Sequence, residues 1–161
     1  MTKLSPLSSK QQNGFGLIEV LITVVILGIG LLGLAGLQAT GLNFNQSAYN
    51  RSQATILAYD IIDRMRANPA AIGTYTGAPA AAPIANCMAV AGCTAIQMAQ
   101  NDLLEWNTTI DATLAPGGVA ADATGTIVLN GTIFTVSITW DENRDTLLDA
   151  NDPNFQVSFQ P

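Results

Sequence analysis

The chain has 161 residues, with 12 acidic side chains against 6 basic ones and no histidine. Charged residues make up 11% and apolar or aromatic ones 48%, which excludes a disordered acidic chain, since such chains are charge-rich and apolar-poor. The acidic balance excludes a basic, phosphate-neutralising nucleic-acid binder, and the missing histidine removes the commonest general base and zinc ligand together.

Residues 1–14 (MTKLSPLSSKQQNG) carry Lys3 and Lys10 and no acid. From Phe15 to Leu37 every residue is apolar or glycine except Glu19 and Thr23, and no charge occurs from Val20 to Asn50. Such a run is long enough for a helix to cross a hydrocarbon core of ~30 Å. The positive flank before it predicts a cytoplasmic N-terminus, with the remainder on the other side. A cleaved secretory signal has an apolar region of only ~7–15 residues and a small-residue site behind it. This run is longer, and Gly36–Gly41 offers no such site. A plain single-pass anchor accounts for the run but not for Glu19, because an intramembrane carboxylate costs roughly 2.5–3.5 kcal/mol at a helix centre, less near an end.

The stretch Gly14-Phe15-Gly16-Leu17-Ile18-Glu19-Val20-Leu21 resembles the processing site of type IV prepilins. That resemblance implies cleavage between Gly14 and Phe15 by a membrane prepilin peptidase, N-methylation of Phe15 and Glu19 as the fifth mature residue. Glycine leaves the scissile bond uncovered, and cleavage frees an α-amine at Phe15. Glu19 of one subunit can then pair with the Phe15 amine of a neighbour. At ~4 Å and an effective dielectric near 20 this is worth ~4 kcal/mol before desolvation is subtracted. Phe15 and Glu19 are therefore the expected assembly residues.

The stretch Gly30-Leu-Leu-Gly-Leu-Ala-Gly-Leu-Gln38, with Leu57 to Pro69 behind it, is similar to the PilV-type minor pilins of type IV pili. The resemblance implies a prepilin leader over 1–14, a transmembrane and filament-core helix over 15–41, and a periplasmic pilin-like α+β domain over 42–161. It implies as partners other major and minor pilins, the prepilin peptidase/N-methyltransferase and the inner membrane, and no nucleic acid. The implied location is the inner membrane of a Gram-negative bacterium and then the pilus. Type II secretion pseudopilins share the first motif and are the nearest alternative, although DRMRANP (63–69) favours the pilus branch. A membrane-anchored, adhesin-like binding module using loops 69–93 or 141–154 is a second alternative.

The helix that begins at Phe15 is predicted to run to Asn68, about 80 Å, because no proline intervenes and Asn68-Pro69 disfavours the helical region. Ala54, Leu57, Ala58, Ile61 and Met65 form a stripe at helical spacing, with Asp60 and Arg64 paired i,i+4 on another face. Gly28, Gly30, Gly33, Gly36 and Gly41 serve either close helix packing or local unwinding on assembly. Residues 69–86 read as a connecting loop. Cys87 and Cys93, the only cysteines in a predicted exported domain, are expected to form a structural disulfide.

Ile96, Ala99, Leu103, Trp106, Ile110 and Leu114 predict a second helix that ends near Ala115-Pro116-Gly117-Gly118. Asn130-Gly131 between β-rich runs predicts a hairpin, with Phe134, Val136, Ile138 and Trp140 facing the helices. A last strand is expected from Phe155 to Phe159. The fold class is α+β, a long N-terminal helix packed on a small antiparallel sheet.

Between the last two strands, Asp141, Asn143, Asp145, Asp149 and Asp152 fall at positions 1, 3, 5, 9 and 12 of a calcium-type loop, with the Leu147 carbonyl at 7. Thr146 replaces the expected glycine, Asp152 is shorter than a bidentate glutamate, and a solvated acidic turn explains the same residues. Calcium is the one cofactor the sequence suggests. Catalysis is not expected: a Ser/His or Cys/His arrangement is impossible here, and no phosphate-cradling loop is present.

Overall fold

The computed structural model describes residues 16–90, 92–115, 123–143, 145 and 147–161. The chain divides into two compact units, Met1–Phe44 and Asn45–Pro161.

Helix α1 spans Leu17–Ala67, close to the predicted 15–68, and its helical state continues through all five glycines between positions 28 and 41. It stops where expected: Asn68, before Pro69, has φ −123° and ψ 60°, outside the helical region. In the first unit, every residue from Gly16 to Thr40 except Gly28 is exposed.

In the second unit the same helix becomes amphipathic. Asn50, Ala54, Leu57, Ala58, Ile61, Ile62 and Met65 are buried. Helix α2 (Ala95–Leu114) opens with a capping box. The Thr94 hydroxyl accepts from the Gln97 amide at 3.2 Å, and the Gln97 side chain accepts from the Thr94 amide at 3.0 Å, so two orphan donors are satisfied reciprocally. Its buried stripe is Ala99, Leu103, Trp106, Ile110 and Leu114, as predicted. Ile96, expected in that stripe, is 57% exposed instead. It lies in the first turn of α2, at the open end of the stripe.

Three antiparallel strands, β1 (Ala123–Asn130), β2 (Ile133–Trp140) and β3 (Asn154–Phe159), lie in the order β1-β2-β3. Phe134, Val136, Ile138 and Trp140 alternate inward and are buried. They join the buried faces of both helices in one core. The expected α+β class is the observed one. The hairpin is displaced by one residue from the expected Asn130-Gly131 loop, because Asn130 still pairs with Ile133 and Gly131-Thr132 make the turn. Gly131 has φ +63°, and the lone glycine thereby occupies the first central position, which requires positive φ. Residues 69–86 are not the plain loop expected. Pro69–Thr76 and Ala85–Met88 form 3-10 turns, and burial of Ala71 and Tyr75 holds the first of them on the core.

Trp106 decides how closely α2 approaches the sheet. A Cβ at Gly125 would stand 2.4 Å from its ring and 2.6 Å from Ile110 Cδ1. Gly125→Ala is therefore expected to cost roughly 1–3 kcal/mol through overpacking. Gly73→Ala, where nothing lies within 4 Å, should stay within about 0.5 kcal/mol of the parent. Denaturant unfolding of the detergent-solubilised protein, followed by tryptophan fluorescence, measures both.

Candidate functional site

The predicted assembly residue Glu19 lies in the first turn of α1. Its amide donates to the Gly16 carbonyl at 2.9 Å, and the Thr23 hydroxyl lies 2.7 Å from the Glu19 carbonyl. Thr23 thus returns its polar group to the backbone, which hides a hydroxyl in an apolar segment. The helix around Glu19 is apolar on all sides, and Leu17, Ile18, Val20, Leu21 and Ile22 are all exposed. A helix hydrophobic all round belongs in lipid or inside other protein. Glu19 is the only acidic or basic side chain from Leu17 to Asn50. Gly14 and Phe15, the predicted processing site, lie outside the described residues.

Cys87 and Cys93 are joined as a disulfide, with their Cα atoms 4.7 Å apart. The bridge closes a six-residue step in front of α2 and keeps no reactive thiol. In the acidic stretch 141–152 four described side chains accept from nearby backbone amides. Asn143 Oδ1 accepts from the Asp145 amide, Asp145 Oδ1 from the Leu147 amide, Asp149 Oδ1 from the Asn151 amide and Asp152 Oδ2 from the Asp149 amide, all within 2.7–2.9 Å. Three of these are side chains closing onto the backbone two residues ahead, a turn-forming habit of Asp and Asn. Among the described residues no group of three or more Cys, Asp or Glu side chains draws together to hold a metal.

A polar bridge absent from the sequence reading ties the 69–86 segment to the helices. The Tyr75 hydroxyl donates to Asp102 Oδ2 at 2.5 Å, the Ala80 amide to the Gln100 carbonyl at 3.0 Å and the Ile84 amide to Asn101 Oδ1 at 2.9 Å. Arg64 reaches Asp60 at 3.0 Å, the expected i,i+4 pair, and also Asp102 at 3.2 Å and Glu105 at 2.9 Å on α2. Partial burial works against the Arg64 charge, but the Glu105 hydrogen bond, the Asp60 charge and the Asp102 contacts outweigh it and raise its pKa further. Burial, followed by the hydrogen bond to Asp102, pushes the Tyr75 hydroxyl well above its ordinary 10.0. One signal could have revealed Asp102: it falls three residues after Ala99 and four before Trp106, on the buried stripe. Beside the bridge lies an open groove of about 600 Å³, lined chiefly by Arg64, Pro83, Met88, Leu104 and Thr108.

Two family models match adjoining stretches of the chain. The prokaryotic N-terminal methylation motif matches residues 9–35, and the type IV pilin Tt1218 family model, Tt1218-like, matches residues 36–104. Comparison with curated proteins and with solved structures gives no match.

Because the Tyr75 pKa is higher in the folded state than in the unfolded one, the unfolded chain loses this proton first as pH rises above about 10. Stability from this group is complete below that pH and declines above it. Tyr75→Phe should cost about 1–2 kcal/mol near neutrality through the lost Asp102 bond, and should flatten the decline above pH 10. Urea midpoints measured from pH 7 to pH 11 test both signs.

Proposed function

We propose that this chain, which is a type IV pilin, serves as a minor subunit of a type IV pilus, of the PilV type, rather than as the bulk subunit or an enzyme. The family is a structural one, and the chain's own features fit assembly better than catalysis. Residues 1–14 act as the leader, and prepilin peptidase cuts between Gly14 and Phe15. The helix over 15–41 holds the subunit in the inner membrane with its N-terminus cytoplasmic, and residues 42–161 form the periplasmic domain. The Cys87–Cys93 bridge supports that placement, because disulfides persist in oxidising compartments.

The observation that carries this reading is the isolation of Glu19. It is a lone carboxylate on the otherwise uncharged, outward-facing apolar part of α1, four residues along the chain from the position whose amine cleavage exposes. In water such a charge needs no partner, whereas in lipid or a filament core it needs one. The Phe15 amine of an adjacent subunit supplies that partner and sets the axial register of the two helices. Extraction from the bilayer then exchanges lipid contacts for contacts with neighbouring apolar helices, with little change in the apolar surface withheld from water.

Glu19→Ala is expected to leave membrane insertion and cleavage intact, so that mature protein still begins at Phe15 by N-terminal sequencing. Its recovery in sheared pili should drop to a small fraction of the parent's. Parent-level recovery of the variant would remove Glu19 from assembly. Loss of pili on deletion supports the minor-pilin reading, whereas intact pili with a secretion defect would move the chain to the pseudopilins.

A further inference from the structure

We propose that Asn130-Gly131 is a self-modification site, at which Asn130 deamidates spontaneously in the folded protein and places a new carboxylate at the end of the sheet. Asn130 closes β1 by pairing with Ile133, and the two-residue loop leaves the Gly131 amide outside the ladder. Both residues are exposed, Gly131 has φ +63°, and no atom lies within 4 Å of where its Cβ would stand. The Asn130 carboxamide has no hydrogen-bond partner among the described residues. The reaction needs only the approach of the Gly131 nitrogen to Asn130 Cγ, and glycine is the residue that obstructs that approach least.

The chemistry is self-contained. Gly131 N attacks Asn130 Cγ, a new N–C bond closes a five-membered succinimide, and ammonia leaves with the amide proton. Water then opens the ring at either carbonyl, giving an aspartyl or an isoaspartyl link at position 130. No oxidant, cofactor or enzyme enters.

Other asparagines of the domain lack this combination. Asn50 and Asn101 are buried and hydrogen-bonded, Asn107 is bonded within α2, and Asn68 precedes a proline that has no amide hydrogen to lose. The consequence is specific to this location. The outward sheet face around Thr124, Thr126, Thr135, Ser137, Gln156 and Ser158 carries no charged side chain, so the product adds the first charge there. The isoaspartyl form also lengthens the backbone by one methylene between β1 and the turn, against the Asn130–Ile133 pair.

The test is site-resolved peptide mapping of the detergent-solubilised full chain, held for weeks at pH 8 with and without 8 M urea (about the concentration that unfolds a domain of this size). The expected result is an NH2-to-OH mass gain and isoaspartate at Asn130 in the native sample, at a rate within a few-fold of that in urea. The helical asparagines should react only in urea, and Asn130→Gln should abolish the signal in its peptide. Conversion of Asn130 in the urea sample reports that the chemistry runs under these conditions. An Asn130 that survives in the native sample while it converts in urea would overturn the proposal.

Discussion

The indole of Trp106 imposes the requirement on which the rest of the second unit, Asn45–Pro161, depends. It is 1% exposed, and its Nε1 donates to the Leu57 carbonyl in α1 at 2.8 Å. A buried indole needs such an acceptor, and here the acceptor belongs to the other helix. The ring edge meanwhile rests against β1 at Gly125, where any side chain would collide with it. One residue therefore fixes the spacing of α1 to α2 and of α2 to the sheet. Trp140 is equally buried but has no acceptor for its Nε1 among the described residues, so it contributes packing without the same directional hold.

Around that junction, α1 answers to two solvents in succession. Up to Thr40 its surface is apolar on all sides, a composition suited to lipid and to the flanks of like helices. From Asn50 onward only one face is apolar, and that face is covered by α2, Tyr75 and the sheet. The change occurs within one continuous helix, with no break in its backbone. Hydrophobicity all round and hydrophobicity on one face are both compatible with the same 3.6-residue period. Glu19 stands in the first regime and Arg64 in the second: a lone carboxylate on an apolar helix surface, and a guanidinium shared among three carboxylates.

The polar bridge explains how a segment rich in alanine and proline is ordered at all. Residues 69–86 have few large side chains to bury, apart from Tyr75 and the half-buried Ile72 and Ile84. Their position is set instead by backbone amides and one hydroxyl that find acceptors on α2. Such contacts are directional, so each adds specificity of placement beyond the modest energy of a net hydrogen bond. Composition predicted a loop there because polar satisfaction by a distant helix leaves no local periodicity.

The sequence by itself determined the elements whose cause is local. Pro69 ends α1, alternation orients β2, the 3.6-residue stripe positions α2, and the charge-free run before Arg51 isolates Glu19. These signals are read within a few residues, and the structure follows them closely. Only the tertiary structure decided which polar groups meet across the chain: Asp102 with Tyr75 and Arg64, Asn101 with Ile84, Trp106 with Leu57. It also decided that the turn begins at Gly131, and that the acidic stretch after β2 closes on its own amides. In each case the partner is far away in sequence or is a backbone atom, and neither leaves a mark in residue spacing.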